Sequence, residues 1–99
     1  MNYNLGYAYF KNKNYEQAQT YFEKYTKNPE ENNLLHDAYI RLGDSQFALG
    51  TYWPAMEAYN KALAMPKFNN DYPFFQKALS YGFVNRNNRK IEELQNFFS

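Results

Sequence analysis

The feature that most constrains the fold of this chain is an internal repetition at a spacing of 37 residues. Gly6 recurs as Gly43, and Ala18 recurs as Ala55, with aromatic residues in the same order around them. A fixed period of roughly 20 to 50 residues is typical of proteins that stack copies of one small structural unit. The sequence therefore predicts a repeat array.

The clearest unit is the stretch 37–66, which reads as two helices joined by one tight turn. Its first helix is predicted to cover about residues 31–49, because apolar residues there recur at helical spacing. Gly50 suits the left-handed residue that ends a helix. Thr51 can cap the next helix, and Pro54 fits its first turn.

Weaker copies of this unit precede and follow it, so we predict six helices in three antiparallel pairs. The single array spans the whole chain, with repeat one at about 1–29, repeat two at about 30–66 and repeat three at about 70–99. Within repeat three, the asparagine-rich segment 85–88 is predicted to be the turn, because asparagine favours turns and helix ends. Residues 89–98 are predicted to form the last helix.

Composition excludes several classes of protein. The net charge is +1, so no strong field draws the chain to nucleic acid or to a membrane surface. Cysteine is absent, which removes disulfides and thiolate chemistry. No apolar run approaches the roughly 20 residues that span a bilayer, and no targeting signal is visible. We predict no nucleic-acid partner and no direct membrane insertion, and both the cytoplasm and the periplasm stay open.

The repeated residues resemble the tetratricopeptide repeat, whose pattern is an aromatic residue, Leu-Gly and Tyr, then Ala and an aromatic residue, then Pro. The residues that match are Leu5, Gly6, Tyr9, Tyr15, Ala18, Phe22 and Pro29 in repeat one; Tyr39, Leu42, Gly43, Tyr52, Ala55, Tyr59, Ala62 and Pro66 in repeat two; and Phe74, Ala78, Tyr81 and Leu94 in repeat three. The resemblance implies an all-α fold, a right-handed α–α superhelix of three helical hairpins. The small residues are expected to let paired helices approach closely.

The origin of the chain is also an expectation from this resemblance. Longer, aromatic-rich repeats are similar to the tetratricopeptide arrays of bacterial envelope proteins. Met1 falls inside the first helix, and the last helix ends on Phe97 and Phe98, where a terminal repeat should present a polar face. We therefore expect a segment of a longer bacterial array. The alternative is that its exposed ends form a homo-oligomer or exchange helices.

In a tetratricopeptide array the first helices of successive repeats line a concave groove, so the resemblance implies a binding surface there. Aromatic and arginine side chains are enriched among binding hot spots. The groove residues predicted in this way are Tyr3, Tyr7, Phe10, Ile40, Arg41, Asp44, Phe47, Phe75 and Leu79. The sequence thus predicts a non-catalytic scaffold that binds a protein, as a peptide or a helix. The alternative is a structural spacer or self-association module of a larger envelope-assembly protein.

Other site chemistries find little support. The family's best-known groove clamps an acidic C-terminus with Lys and Asn. By the resemblance, the corresponding positions here are Tyr3, Tyr7, Tyr72 and Gln76. We therefore expect no preference for acidic C-terminal tails. The lone His36 is interpreted as a helix-start residue, since one histidine with nearby carboxylates is weak evidence for a metal. We predict no catalytic, cofactor-binding or metal-binding residue, and no enzyme.

Overall fold

In the computed structural model, the backbone of residues 1–98 and the side chains of residues 1–86 are described. Over this part of the chain, all regular structure is helical. The elements are α1 (Asn2–Lys11), α2 (Tyr15–Lys27), a 3₁₀ turn (Asn32–Leu34), α3 (Leu35–Ala48), α4 (Tyr52–Leu63) and α5 (Asp71–Phe98). The all-α prediction is confirmed.

Each helix packs on the one before it and the one after it, so the molecule is a row of helices that extends over 54 × 28 × 20 Å. The helices α1 and α2 form one antiparallel hairpin, and α3 and α4 form a second. The hairpins stack through α2 and α3, and α5 packs on α4. This order brings α1 and α5 into contact with opposite sides of α3 on one surface.

Glycine sets the close approach within each hairpin. A methyl group at Gly6 would lie 2.9 Å from Cδ1 of Phe22, and one at Gly43 would lie 2.6 Å from Cε1 of Tyr59. Both distances are shorter than a normal carbon–carbon contact, so only glycine fits without movement of the ring. The predicted role of these two glycines is confirmed.

The two hairpin corners have the same backbone conformation, 37 residues apart. Gly50 has φ +79°, and Lys13 has φ +61° at the equivalent position. Their amides make equivalent bonds of 3.0 Å, from Gly50 to the carbonyl of Phe47 and from Lys13 to the carbonyl of Phe10. The repeat is therefore present in the structure as well as in the sequence. Lys13 adopts the left-handed conformation that favours glycine, although it is not a glycine.

Two local predictions in repeat two need correction. The first helix begins at Leu35 instead of about residue 31, because Asn32–Leu34 form a 3₁₀ turn before it. Thr51 precedes α4 as predicted, but its hydroxyl does not cap that helix. Instead it donates to the carbonyl of Gln46 at 3.0 Å and closes the corner.

The predicted turn at 85–88 and separate helix at 89–98 are wrong. The backbone continues as one helix of 28 residues, Asp71–Phe98, which is about 42 Å long at 1.5 Å per residue. The described chain thus has five helices instead of six. Asparagine lowers helix stability by only about 0.7 kcal/mol per residue, and neither glycine nor proline occurs after residue 82, so nothing breaks the helix there.

The core lies between the two hairpins and is built from small and aromatic side chains. Ala18, Phe22 and Tyr25 of α2 pack against residues of α3 and α4. Ala55 and Ala62 of α4 are fully buried, as the sequence predicts. Small residues thus face large rings in this core, which lets neighbouring helices approach closely.

Candidate functional site

The candidate site is the surface formed by the first helices α1, α3 and α5, which we call the groove. Helix α3 lies in its centre and contacts α1 on one side and α5 on the other. The second helices, α2 and α4, lie behind this row. The groove therefore combines side chains that are far apart in the sequence.

One chain of polar contacts crosses the groove from α1 to α5. The hydroxyl of Tyr3 donates to Asp37 at 2.6 Å, and Arg41 pairs with Asp37 at 3.6 Å. Arg41 also donates to Asp44 at 3.1 Å, and the hydroxyl of Tyr72 donates to the same carboxylate at 3.0 Å. These five residues, which we call the polar chain, link the three helices that form the groove.

Asp44 is the most constrained residue of the polar chain. Its side chain is almost fully buried, and Tyr59 of α4 donates to it at 2.5 Å from behind. Burial, and then the charge of Asp44, raise the pKa of the Tyr59 hydroxyl and raise that of Tyr72 to about 12. Both hydroxyls thus remain protonated donors, and both oxygens of Asp44 have partners within the fold.

Arg41 is held on several sides. Burial alone would lower its pKa, but the charges of Asp37 and Asp44 outweigh burial, so its pKa is raised. The guanidinium also lies 5.7 Å from the ring centroid of Phe10, a cation–π distance. About a third of the Arg41 side chain stays accessible. Most of the Arg41 side chain is therefore engaged in contacts within the fold.

The α1 end of the groove is aromatic and basic. The rings of Tyr3 and Tyr7 stack at 6.0 Å, and the ammonium of Lys11 lies 5.1 Å from the centroid of Tyr7. With Asn4 and Asp37 these residues line an open cleft of about 440 Å³. Such a cleft suits an apolar or aromatic side chain with a polar group beside it.

The α5 end of the groove is apolar. Phe75 and Leu79 are exposed by 60% and 38%, which is high for side chains of this size. With Phe83 and Arg86 they line a shallow cleft of about 230 Å³, in which the guanidinium of Arg86 lies 5.6 Å from the Phe83 ring. Phe47 packs edge-on against Phe83 at 5.8 Å and joins this end to α3.

The family comparison agrees with this geometry. The model for the tetratricopeptide repeat matches residues 1–32 and 36–69, which together are two thirds of the chain. The chain belongs to the tetratricopeptide repeat family. The two matches correspond to the α1–α2 and α3–α4 hairpins, and α5 lies beyond them. Searches of curated proteins and of solved structures found no match.

The predicted residues of the tetratricopeptide groove occupy different environments. Phe75 and Leu79 are the most exposed of them, and Ile40 and Asp44 are buried. The other five are partly buried: Tyr3, Tyr7, Phe10, Arg41 and Phe47. The groove thus has an internally bonded centre with accessible apolar groups at both ends.

Sequence reasoning missed the contact that fixes Asp44. Tyr59 comes from a second helix, and its hydroxyl reaches through to the groove side of α3. The available signal was that repeat one has Phe22 at the equivalent position, so the hydroxyl of Tyr59 is an addition without an obvious partner. Buried hydroxyls normally find a partner, and the buried carboxylate of Asp44 supplies it.

His36 has a structural environment in this tetratricopeptide array. It is buried at the start of α3, and its ring stacks on Phe68 with the ring centroids 4.3 Å apart. Its Nε2 lies 2.7 Å from Oδ1 of Asn70. The amide of Asn70 donates to Met65, so its oxygen accepts a hydrogen bond from His36. His36 thereby holds the connection between α4 and α5 against α3.

Among the described residues, no group of three or more acidic or histidine side chains could hold a metal ion. Within the same part of the chain, no helix is both long enough and apolar enough to cross a membrane.

Proposed function

We propose that this protein is a non-catalytic interaction module whose groove binds a segment of another protein. Tetratricopeptide repeats generally mediate protein–protein interaction. The observation that supports the groove as the binding surface is the exposure of Phe75 and Leu79 on α5, beside an accessible cleft. Exposed apolar side chains that cluster on one surface usually mark a partner site.

The two ends of the groove are proposed to supply most of the binding energy. Tyr7 with Lys11 provides an aromatic surface at one end, and Phe75 with Leu79 provides an apolar surface at the other. Rings buried by a partner are frequent hot spots. A suitable ligand is therefore an extended peptide or an amphipathic helix with two apolar anchors.

The polar chain is proposed to shape the groove instead of performing chemistry. Members of this family are typically non-catalytic scaffolds. Both oxygens of Asp44 accept hydrogen bonds, and Arg41 pairs with two carboxylates. A general base or a nucleophile needs a free lone pair aimed at a substrate, so groups bonded to one another in this way favour a positioning role.

A peptide selected from a random library on the intact chain provides the test. Phe75→Ala should weaken its binding by about fivefold or more, since anchors of this kind contribute over 1 kcal/mol. Trp53→Ala is the matched control, because Trp53 is equally exposed, at 60%, but lies on the second helix α4. Titration calorimetry measures both affinities.

The two variants distinguish binding in the groove from non-specific binding to exposed aromatic side chains. Weakening by Phe75→Ala alone supports the groove. Equal weakening by both variants, or by neither, would show that selected peptides bind elsewhere. Circular dichroism of each variant checks that the helices are intact, so a loss of binding can be attributed to the removed ring.

A further inference from the structure

One face of α5 carries large side chains with no partner in the described part of the chain. Phe74, Ala78 and Tyr81 share this face, since residues at i, i+4 and i+7 align along a helix. Phe74 is 66% exposed and Tyr81 is 60% exposed, and Ala78 is also exposed. We call these three residues the α5 face. It borders the groove surface of Phe75 and Leu79, since Ala78 also lines the cleft beside them.

The structure fixes the register of α5 relative to α3. Ser45 and Ser80, which are 35 residues apart, are both fully buried. Each donates to a carbonyl four residues earlier at 2.8 Å, Ser45 to Arg41 and Ser80 to Gln76. Counting the same 35 residues from Gly43 gives residue 78. Ala78 therefore occupies the position on α5 that Gly6 has on α1 and Gly43 has on α3.

In both earlier repeats, this position is covered by an aromatic ring from the second helix. Gly6 is covered by Phe22 and Gly43 by Tyr59, and each ring follows its glycine by 16 residues. Sixteen residues after Ala78 comes Leu94, within a segment whose sequence has an apolar repeat of helical spacing. The sequence thus has an apolar residue, Leu94, at the same offset from Ala78 as the rings that cover Gly6 and Gly43.

The segment that contains Leu94 cannot cover the face of its own helix. Because α5 is continuous from Asp71 to Phe98, residue 94 lies about 24 Å along the helix axis from Ala78. We propose that the α5 face binds residues 89–98 of a second copy of this chain, and that two copies exchange these segments symmetrically. Each copy then receives a helix that covers its α5 face, which is the arrangement of a domain-swapped dimer.

Cysteine cross-linking tests the exchange directly, because the native chain has no cysteine. One copy of the chain carries Ala78→Cys and a second carries Leu94→Cys, and the two are mixed under mild oxidation. Since a disulfide needs Cα atoms within about 7 Å, we expect the mixed disulfide to form in excess over either homodimer. Failure to form it would overturn the exchange.

The chain with both substitutions distinguishes exchange from folding back. Exchange predicts a covalent dimer on a non-reducing gel. A monomer with an internal disulfide would instead show that α5 bends and that residues 89–98 cover their own face. That result would also overturn the proposal.

A pair of charge substitutions keeps the proposal testable without cysteines. Tyr81→Glu should raise the dissociation constant of the dimer by about thirtyfold, the effect of a hot spot of about 2 kcal/mol. Leu5→Glu, at an exposed apolar side chain of α1 outside the α5 face, should leave it unchanged. Sedimentation velocity over a concentration series measures both constants, and a monomeric native chain, or equal effects of the two variants, would refute the exchange.

Discussion

Replacing Gly43 by alanine should destabilise the fold by about 2 kcal/mol. The new methyl would lie 2.6, 2.8 and 2.9 Å from three ring atoms of Tyr59, which is fully buried. That ring cannot shift easily, because its hydroxyl is bonded to Asp44 at 2.5 Å. Overpacking of this kind costs about 3 kcal/mol, and alanine returns about 1 kcal/mol in helix propensity.

Alanine at the other two helical glycines should change the free energy of unfolding by different amounts. At Gly6 the nearest atoms to the added methyl belong to the Phe22 side chain, at 2.9 Å or more, and the Phe22 ring has no hydroxyl to hold it. Gly6→Ala should therefore destabilise by less than about 1 kcal/mol. At Gly82 the added methyl would point into open space, so Gly82→Ala should stabilise by up to about 1 kcal/mol.

Urea denaturation followed by circular dichroism gives the free energy of unfolding for each variant. The expected order of stability is Gly82→Ala, then Gly6→Ala, then Gly43→Ala. Adding Tyr59→Phe to Gly43→Ala should reduce the cost of the alanine, because the ring is then free to move. A neutral or stabilising Gly43→Ala would refute the reasoning, since it would mean that the hairpin has room for a methyl group.

Two further predictions concern a corner and a hydroxyl. Lys13→Gly should raise the free energy of unfolding by up to about 1 kcal/mol in urea denaturation, because Lys13 has the left-handed conformation that Gly50 has at the equivalent corner. Burial, and then the charge of Asp44, raise the pKa of Tyr72 to about 12. Its contribution should be complete below the unfolded pKa of about 10 and lost as the pH rises towards 12, so denaturation midpoints should fall less steeply in that window for Tyr72→Phe than for the native chain.

The parts of the fold that follow from local rules were predictable. The glycines at 6 and 43, and the alanines at 55 and 62, have roles that depend only on helical spacing and side-chain size. Gly50 could be assigned to a corner because few residues accept its conformation. These features depend on size and backbone chemistry, so a single sequence is enough to recognise them.

The continuity of α5 and the centre of the groove were not predictable in the same way. Asparagine is acceptable both in a turn and, at modest cost, within a helix, so the segment 85–88 did not decide between the two. The environment of Asp44 depends on Tyr59 and Tyr72, which are 15 and 28 residues away. Hydrogen bonds of that range depend on how helices are placed, which spacing along one helix does not reveal.

The equivalent positions Tyr7, Asp44 and Leu79 bear on the selectivity of the proposed binding groove. They give it an aromatic, an acidic and an aliphatic group in order along the array. The acidic group is bonded to Tyr59, so a ligand that required Asp44 to turn outward would have to break a buried charged hydrogen bond, at a cost of roughly 2 kcal/mol. Binding at the two ends has no such cost. We therefore expect the spacing between two apolar anchors to determine which partner this array accepts, more than any charge on that partner.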